Sequence, residues 1–228
     1  MRIEIVTIFP QMLSGFFETG VIGTACQSGL VQIHIHDLRD FTTDRHRQVD
    51  DRPYGGGPGM VLKPEPFFRA VEFIKGQLTI EPRVVLLSAQ GKLFTQTVAK
   101  ALAQEKAIIL LCGRYEGVDE RVLSMCTDEL SIGDYVLSGG EAAAAVITDC
   151  VARLVPGVIG KQESVEHDSF YNENEKLLGP PQYTRPPEFR GLGVPEVLLT
   201  GDHKKVEEFR RRAALEKTLK NRPDLLKG

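Results

Sequence analysis

The sequence predicts an α/β domain built on a parallel sheet, followed by a small helical C-terminal domain. Three observations carry this. Residues 83–87 (Arg-Val-Val-Leu-Leu) and 107–112 (Ala-Ile-Ile-Leu-Leu-Cys) are apolar without alternation, as strands buried on both faces are. Segments of helical length separate such runs, and strand–helix alternation is the mark of helices packed on both sides of a parallel sheet. From about residue 161 the chain turns polar, and apolar positions become sparse.

Taken in order, residues 3–9 form a short apolar strand ended by Pro10. Residues 11–28 read as one or two helices, broken near Gly20. Residues 31–38 alternate Val31, Ile33 and Ile35 with Gln32, His34 and His36, the period of a half-buried strand with one face toward solvent. A polar stretch, 39–52, leads into Tyr54-Gly55-Gly56-Gly57-Pro58-Gly59-Met60, too rich in glycine to hold a regular element. Residues 64–75 are helical, with Pro64 and Pro66 near the start, where proline is tolerated. The strand at 83–87, a helix over 94–104 and the strand at 107–112 follow. A short helix over 118–125 and a short strand over 128–132 come next. Ser138-Gly139-Gly140-Glu141 fits a capping box opening a helix that runs through an alanine tract to about Ala152 and is stopped by Pro156-Gly157. Residues 1–160 therefore form the α/β domain. Residues 161–175 are polar and acidic, as in an interdomain linker. Residues 176–228 form the small domain, with a helix over 202–220.

Hydrophobic residues make up 42% and charged residues 26%, which places the chain among ordinary globular proteins. Trp is absent, so the core rests on Leu, Ile, Val and Phe. The formal charge of -3 excludes a uniformly basic nucleic-acid binder. Charge is uneven, however: residues 201–228 carry nine Lys or Arg against five acids, so that tail is +4 and the rest of the chain -7. A local basic face binds phosphate whatever the total. Cys26, Cys112, Cys126 and Cys150 are scattered without C-x-x-C or metal spacing, and two of them lie in apolar runs as core thiols do. No signal-peptide pattern opens the chain, and no apolar run approaches the roughly 20 residues that span a bilayer. These features lead us to expect a cytoplasmic protein without a membrane segment.

In open parallel sheets, ligands bind beyond the carboxyl ends of the strands. Three strand ends here run into small residues: Ser88-Ala89-Gln90-Gly91, Gly113-Arg114-Tyr115-Glu116-Gly117, and Gly133-Asp134-Tyr135-Val136-Leu137-Ser138-Gly139-Gly140. One such loop is explained by a tight turn; three on successive strands point to a site. The P-loop pattern fails at both Gly55–Lys63 and Gly91-Lys92, and no G-x-G-x-x-G joins a strand to a helix. A polyphosphate is disfavoured. Tyr115, Ile132, Tyr135, Val136 and Leu137 suit an adenosine held by backbone groups and apolar contact.

The motifs Gly113-Arg114-Tyr115-Glu116-Gly117-Val118-Asp119-Glu120-Arg121 and Ser131-Ile132-Gly133-Asp134-Tyr135-Val136-Leu137-Ser138-Gly139-Gly140-Glu141 go further. Together with Arg52-Pro53-Tyr54-Gly55-Gly56-Gly57-Pro58-Gly59-Met60, Tyr183-Thr184-Arg185-Pro186-Pro187-Glu188-Phe189-Arg190-Gly191 and Val194-Pro195-Glu196-Val197-Leu198-Leu199-Thr200-Gly201-Asp202-His203, they span nearly the whole chain in order. In that combination the sequence resembles the bacterial tRNA (guanine-N1-)-methyltransferases that modify guanine 37; Asp202 stands where the family commonly has Asn. The resemblance implies a SPOUT-type α/β fold with a deep trefoil knot, which ordinary topology rules would never suggest. It also implies a homodimer with shared active sites, tRNA as partner and S-adenosylmethionine as methyl donor. The donor would be held by Gly113 and the run Ile132, Gly133, Asp134, Tyr135, Val136, Leu137. Tyr115, Glu116, Gly139 and Gly140 would lie nearby, and Leu87 and Ser88 would belong to the first knot loop.

The family pattern also assigns Asp168 as the general base that takes the N1 proton, and Arg153 as the group that stabilises charge at O6. Read without the resemblance, the first is a solvated linker carboxylate and the second a helix C-terminal cation. The family's reported magnesium ion finds no carboxylate cluster in the sequence. Asp50 is a candidate participant near donor or RNA, while His46 and His167 lack partners at ligand spacing and read as structural. Two competing readings are a knotted rRNA methyltransferase, which would share the donor loops, and a non-catalytic RNA-binding protein, which would need neither an adenosine site nor Asp168.

Overall fold

The strand at the centre of the sheet is the most apolar in the chain. Ala107–Cys112 (β6 below) is buried at every position, because both of its faces are covered. The computed structural model describes residues 1–160, 168–170 and 177–226, and the chain divides into two compact units, 1–160 and 161–228.

The first unit runs β1 (Arg2–Thr7), α1 (Gln11–Phe17), α2 (Gly20–Gln27), β2 (Gln32–Asp37), β3 (Asp50–Asp51), β4 (Val61–Leu62), α3 (Pro64–Gly76), β5 (Arg83–Leu93), α4 (Gln96–Ala103), β6, β7 (Asp128–Ser131) and α5 (Glu141–Ala152). Five strands make one sheet in the order β2-β1-β6-β5-β7, parallel throughout. The expected fold class is therefore present. Alternate residues of β1, β5 and β6 feed two cores. Ile3, Ile5, Val85, Leu87, Ile108 and Leu110 pack with Leu13, Ile22, Leu102 and Ile147 on one face. Val6, Val84, Leu86, Ile109 and Leu111 pack with Phe67, Ala70 and Ile74 of α3 on the other. Each fully buried side chain of this kind contributes roughly 1.5–3 kcal/mol before ordering costs.

Several boundaries differ from expectation for local reasons. The helix expected over 118–125 is a 3-10 turn, Glu120–Met125, opened by Asp119, whose carboxylate accepts from the Arg121 N–H. The loop around Tyr54–Met60 is flanked by a two-residue hairpin, β3 with β4, too short to leave a period in the sequence. The expected capping box at Ser138 does not form. The last helix of the unit starts at Glu141 behind Gly140, and no side chain caps it, because the Glu141 carboxylate is engaged elsewhere. The expected solvent face of β2 is real at Gln32 and His34; His36 is half-buried, its Nε2 2.5 Å from the carboxylate of fully buried Glu4, which Arg2 also contacts.

One crossing shapes everything near the sheet's edge. Leu130 of β7 pairs with Leu87 and again with Lys92, and Leu93 pairs with Ser131. A Cβ on Gly91 would stand 2.5 Å from the Leu130 nitrogen. The chain at 88–91 thus passes directly over the Glu129–Leu130 peptide, and only glycine fits against that backbone.

In the second unit, among the described residues, β8 (Glu188–Phe189) and β9 (Leu192–Gly193) form a small hairpin. A 3-10 turn (Glu196–Leu199) precedes the helix α6 (His203–Asn221). The helix expected over 202–220 is α6, and proline at 180, 181, 186, 187 and 195 keeps the first part of the unit irregular. Of the expected linker 161–175, only 168–170 are described; His167 and the remainder lie outside the described residues.

Candidate active site

The middle of β5, where the strand expected to end at Leu87 continues to Leu93, and the loops that follow β6 and β7 converge around a cleft of about 290 Å³. Leu87 and Ser88 enter from the first of these stretches and Gly113, Tyr115 and Glu116 from the second. Ile132, Gly133, Tyr135, Val136, Leu137, Gly139 and Gly140 enter from the third. Of the expected donor contacts only Asp134 is absent from the lining. The Tyr135 N–H donates back to the Gly133 carbonyl (3.0 Å), which puts Asp134 at the apex of a tight turn with its side chain exposed.

Each loop is set by a few specific contacts. The Ser88 hydroxyl accepts from the Gln90 N–H (3.0 Å). Tyr115 has φ +61, a strained conformation for a residue with a side chain, fixed by the hydrogen bonds around it. The Gly117 N–H donates to the Arg114 carbonyl and the Glu116 N–H to that of Met60, both at 3.1 Å. The second of these bonds brings the glycine loop at 54–60 beside the cleft, and a Cβ on Gly59 would collide with the Glu116 side chain. At the far end of the third loop, the Gly140 N–H donates to the Gly113 carbonyl (2.9 Å), and a Cβ at 140 would come 2.8 Å from the Cys112 Cα. Main chain thus meets main chain at the cleft floor. Val136 is 92% exposed, and Tyr115 and Tyr135 are about half exposed, so an apolar rim stands open to a ligand.

One lining residue, Arg114, belongs to a network that loop-by-loop reading missed. Arg114 pairs with Glu141, Nε and Nη2 both 3.0 Å from Oε2. The Thr7 hydroxyl donates to Glu141 Oε1 (2.6 Å). The Arg114 guanidinium lies 4.7 Å from the Phe9 ring centroid. The usable signal was an acidic residue between Gly139-Gly140 and an alanine tract, a place where a buried carboxylate needs a cation from elsewhere. Burial pushes the Cys112 thiol well above its usual range; the Glu141 charge adds to this and Arg114 opposes it. The strand end therefore offers no thiolate nucleophile.

Of the other expected residues in the first unit, Arg153, Asp50 and His46 are not among those that line the cleft. Arg153 is the exposed C-cap of α5. Asp168 is exposed at a bend in the second unit. Asp50 pairs with Leu62 in the small hairpin, and the His46 N–H donates to Asp44. Among the described residues no group of three His, Cys, Asp or Glu is placed to hold a metal ion, and no helix is long and apolar enough to cross a membrane.

Comparison with known proteins gives this geometry its setting. The protein of Thermotoga maritima (strain ATCC 43589 / DSM 3109 / JCM 10099 / NBRC 100826 / MSB8) named tRNA (guanine-N(1)-)-methyltransferase is 55% identical over 225 residues, which is 99% of this chain and 90% of that one. The proteins of the same name from Sulfurihydrogenibium sp. (strain YO3AOP1) and Dehalococcoides mccartyi (strain ATCC BAA-2266 / KCTC 15142 / 195) are 54% and 51% identical. Each match covers 99% of this chain, with 87% and 90% of the respective relatives. The family model described as tRNA (Guanine-1)-methyltransferase TrmD matches residues 1–228, and the chain belongs to that family.

Proposed function

We propose that the protein transfers a methyl group from S-adenosylmethionine to N1 of guanine 37 in tRNA. The observation that carries this is the three-loop cleft, considered with the family membership. The residues present fit the donor: the glycine-lined floor lets backbone approach closely, and Tyr115, Tyr135, Val136 and Leu137 offer apolar surface for an adenosine. When bound, S-adenosylmethionine supplies a methyl carbon already activated by a sulfonium. The crossing of 88–91 over β7 and the return of 133–140 to the end of β6 support a trefoil knot in this unit.

N1 of guanine carries a proton and is a poor nucleophile. Asp168 takes that proton as general base. The charge that develops at O6 meets the Arg153 guanidinium. The target base sits in a single-stranded anticodon loop, so presenting its edge costs less than opening a duplex. Residues 1–160 hold the donor and 176–228 hold tRNA. The latter include an α6 whose Lys204, Lys205, Arg210, Arg211 and Arg212 suit a phosphate backbone, and the segment 161–175 links the two. The working unit is a homodimer with sites completed by both copies.

The test is to incubate the protein with labelled donor and tRNA transcripts and map the methylated nucleoside. N1-methylguanine at position 37, lost when that guanine is replaced, is the expected product. Asp168→Asn should keep donor affinity and lose turnover by about 10²-fold or more. Label on another nucleotide or on rRNA alone would refute the assignment, and near-normal turnover in Asp168→Asn would remove the base.

A further inference from the structure

We infer that Arg114 and Glu141 are a positioning pair, holding the second and third cleft loops in the arrangement that accepts the methyl donor. The inference rests on the methyltransferase reading. It starts from a problem of chain geometry. The third loop leaves β7 at the sheet edge and must reach the end of β6, two strands away past β5. Its middle has only local bonds, from the Tyr135 N–H to Gly133 and the Tyr135 hydroxyl to Ile132, while Tyr135 and Val136 are exposed at 54% and 92%. Its position is decided at its ends. The near end is fixed by Ser131, whose hydroxyl donates to the Gly133 carbonyl (3.1 Å).

The far end is fixed by the Gly140–Gly113 hydrogen bond, the antiparallel bridge between Arg114 and Gly139, and the ion pair. The pair joins three elements. Glu141 opens α5, Arg114 follows β6, and Thr7 at the end of β1 donates to the same carboxylate. Thr7 is fully buried and Glu141 1% exposed. Arg114 is committed to this network: two of its nitrogens face Glu141, its Nη2 also lies 3.0 Å from the Met12 sulfur, and its plane lies near Phe9. It also precedes Tyr115 directly, so it anchors the strained residue that lines the cleft. A buried ion pair gives little net stability compared with an apolar replacement, but breaking it leaves one charge uncompensated, so it selects one arrangement over others. A gap of about 1 Å at either loop would misplace the donor.

The experiment uses the full chain with Glu141→Gln, Arg114→Met, Arg114→Lys, and the double variant Glu141→Gln/Arg114→Met. Melting temperature, calorimetric affinity for S-adenosylmethionine, tRNA affinity, and kcat and KM for the donor are measured on each. Each neutralising single variant should weaken donor binding roughly tenfold or more and raise donor KM, with tRNA affinity held within about twofold. The double variant should be no worse than the poorer single one, and Arg114→Lys should recover part of the loss. Should the single variants fail to fold, Thr7→Val keeps shape and charge pair while removing one donor to Glu141, and should still weaken donor affinity measurably. Folded variants with parental donor affinity overturn the inference, as does a loss confined to tRNA binding. A parent protein that takes no donor sinks the methyltransferase reading and this inference together; a parent that binds while its variants bind alike sinks this inference alone.

Discussion

At Gly140 the limiting quantity is space. Its N–H is spent on the Gly113 carbonyl, and the direction a side chain would take is filled by the Cys112 backbone at 2.8 Å. Gly140→Ala therefore forces backbone movement at the cleft floor. Overpacking of this kind costs about 1–3 kcal/mol. Donor affinity, measured by calorimetry, should fall by about tenfold or more, since misplacement at the floor reaches the ligand directly; parental affinity would show that this contact does not shape the site. Glu4 is a second case where environment decides. Burial alone would raise its pKa, yet the hydrogen bonds from His36 and Arg2, with the nearby His34 charge, hold it below the ordinary 4.5. The stabilisation is therefore present above pH 4.5 and is lost as pH falls through the lowered value. Denaturant unfolding across that range should show the gap between parent and Glu4→Gln shrinking on acidification, and a constant gap would remove Glu4 from the acid limb. Single residues were unevenly legible in the sequence. Glycines after strand ends announced the cleft; the Thr7–Glu141–Arg114 network did not, because its members lie 27 and 134 positions apart and meet only once the sheet is ordered. The Ser138 capping pattern misled for the same reason, a distant partner outcompeting a local one.

At the scale of elements, period and burial were readable wherever a strand had four or more residues. All five strands of the sheet were visible as apolar or alternating runs, and α1 and α2 divide where Gly20 suggested. The hairpins at 50–62 and 188–193 have two-residue strands, which leave no period to read. The start of α6 is set by Asp202, whose carboxylate accepts from the Lys205 N–H (3.2 Å) and faces the positive end of the helix dipole. Asp202→Ala should cost the second unit about 1 kcal/mol while Asp202→Asn keeps the cap. Hydrogen exchange in the first turn of α6 reads this directly, and unchanged exchange in the alanine variant would contradict it.

For the whole molecule, fold class was legible and connectivity was not. A parallel sheet follows from apolar runs joined by helices, but nothing in those runs says that β6 lies between β1 and β5, or that β7 pairs with β5 on both sides of a crossing. That crossing brings three glycine-bearing stretches to one place, and the proposed donor site depends on it. The most direct test is a crystal structure of the full chain with S-adenosylmethionine. The donor should lie in the cleft, with its adenosine against Ile132, Tyr135, Val136 and Leu137 and close to the main chain at Gly113 and Gly140. Density for the donor anywhere else, with the cleft filled by solvent, would contradict the account.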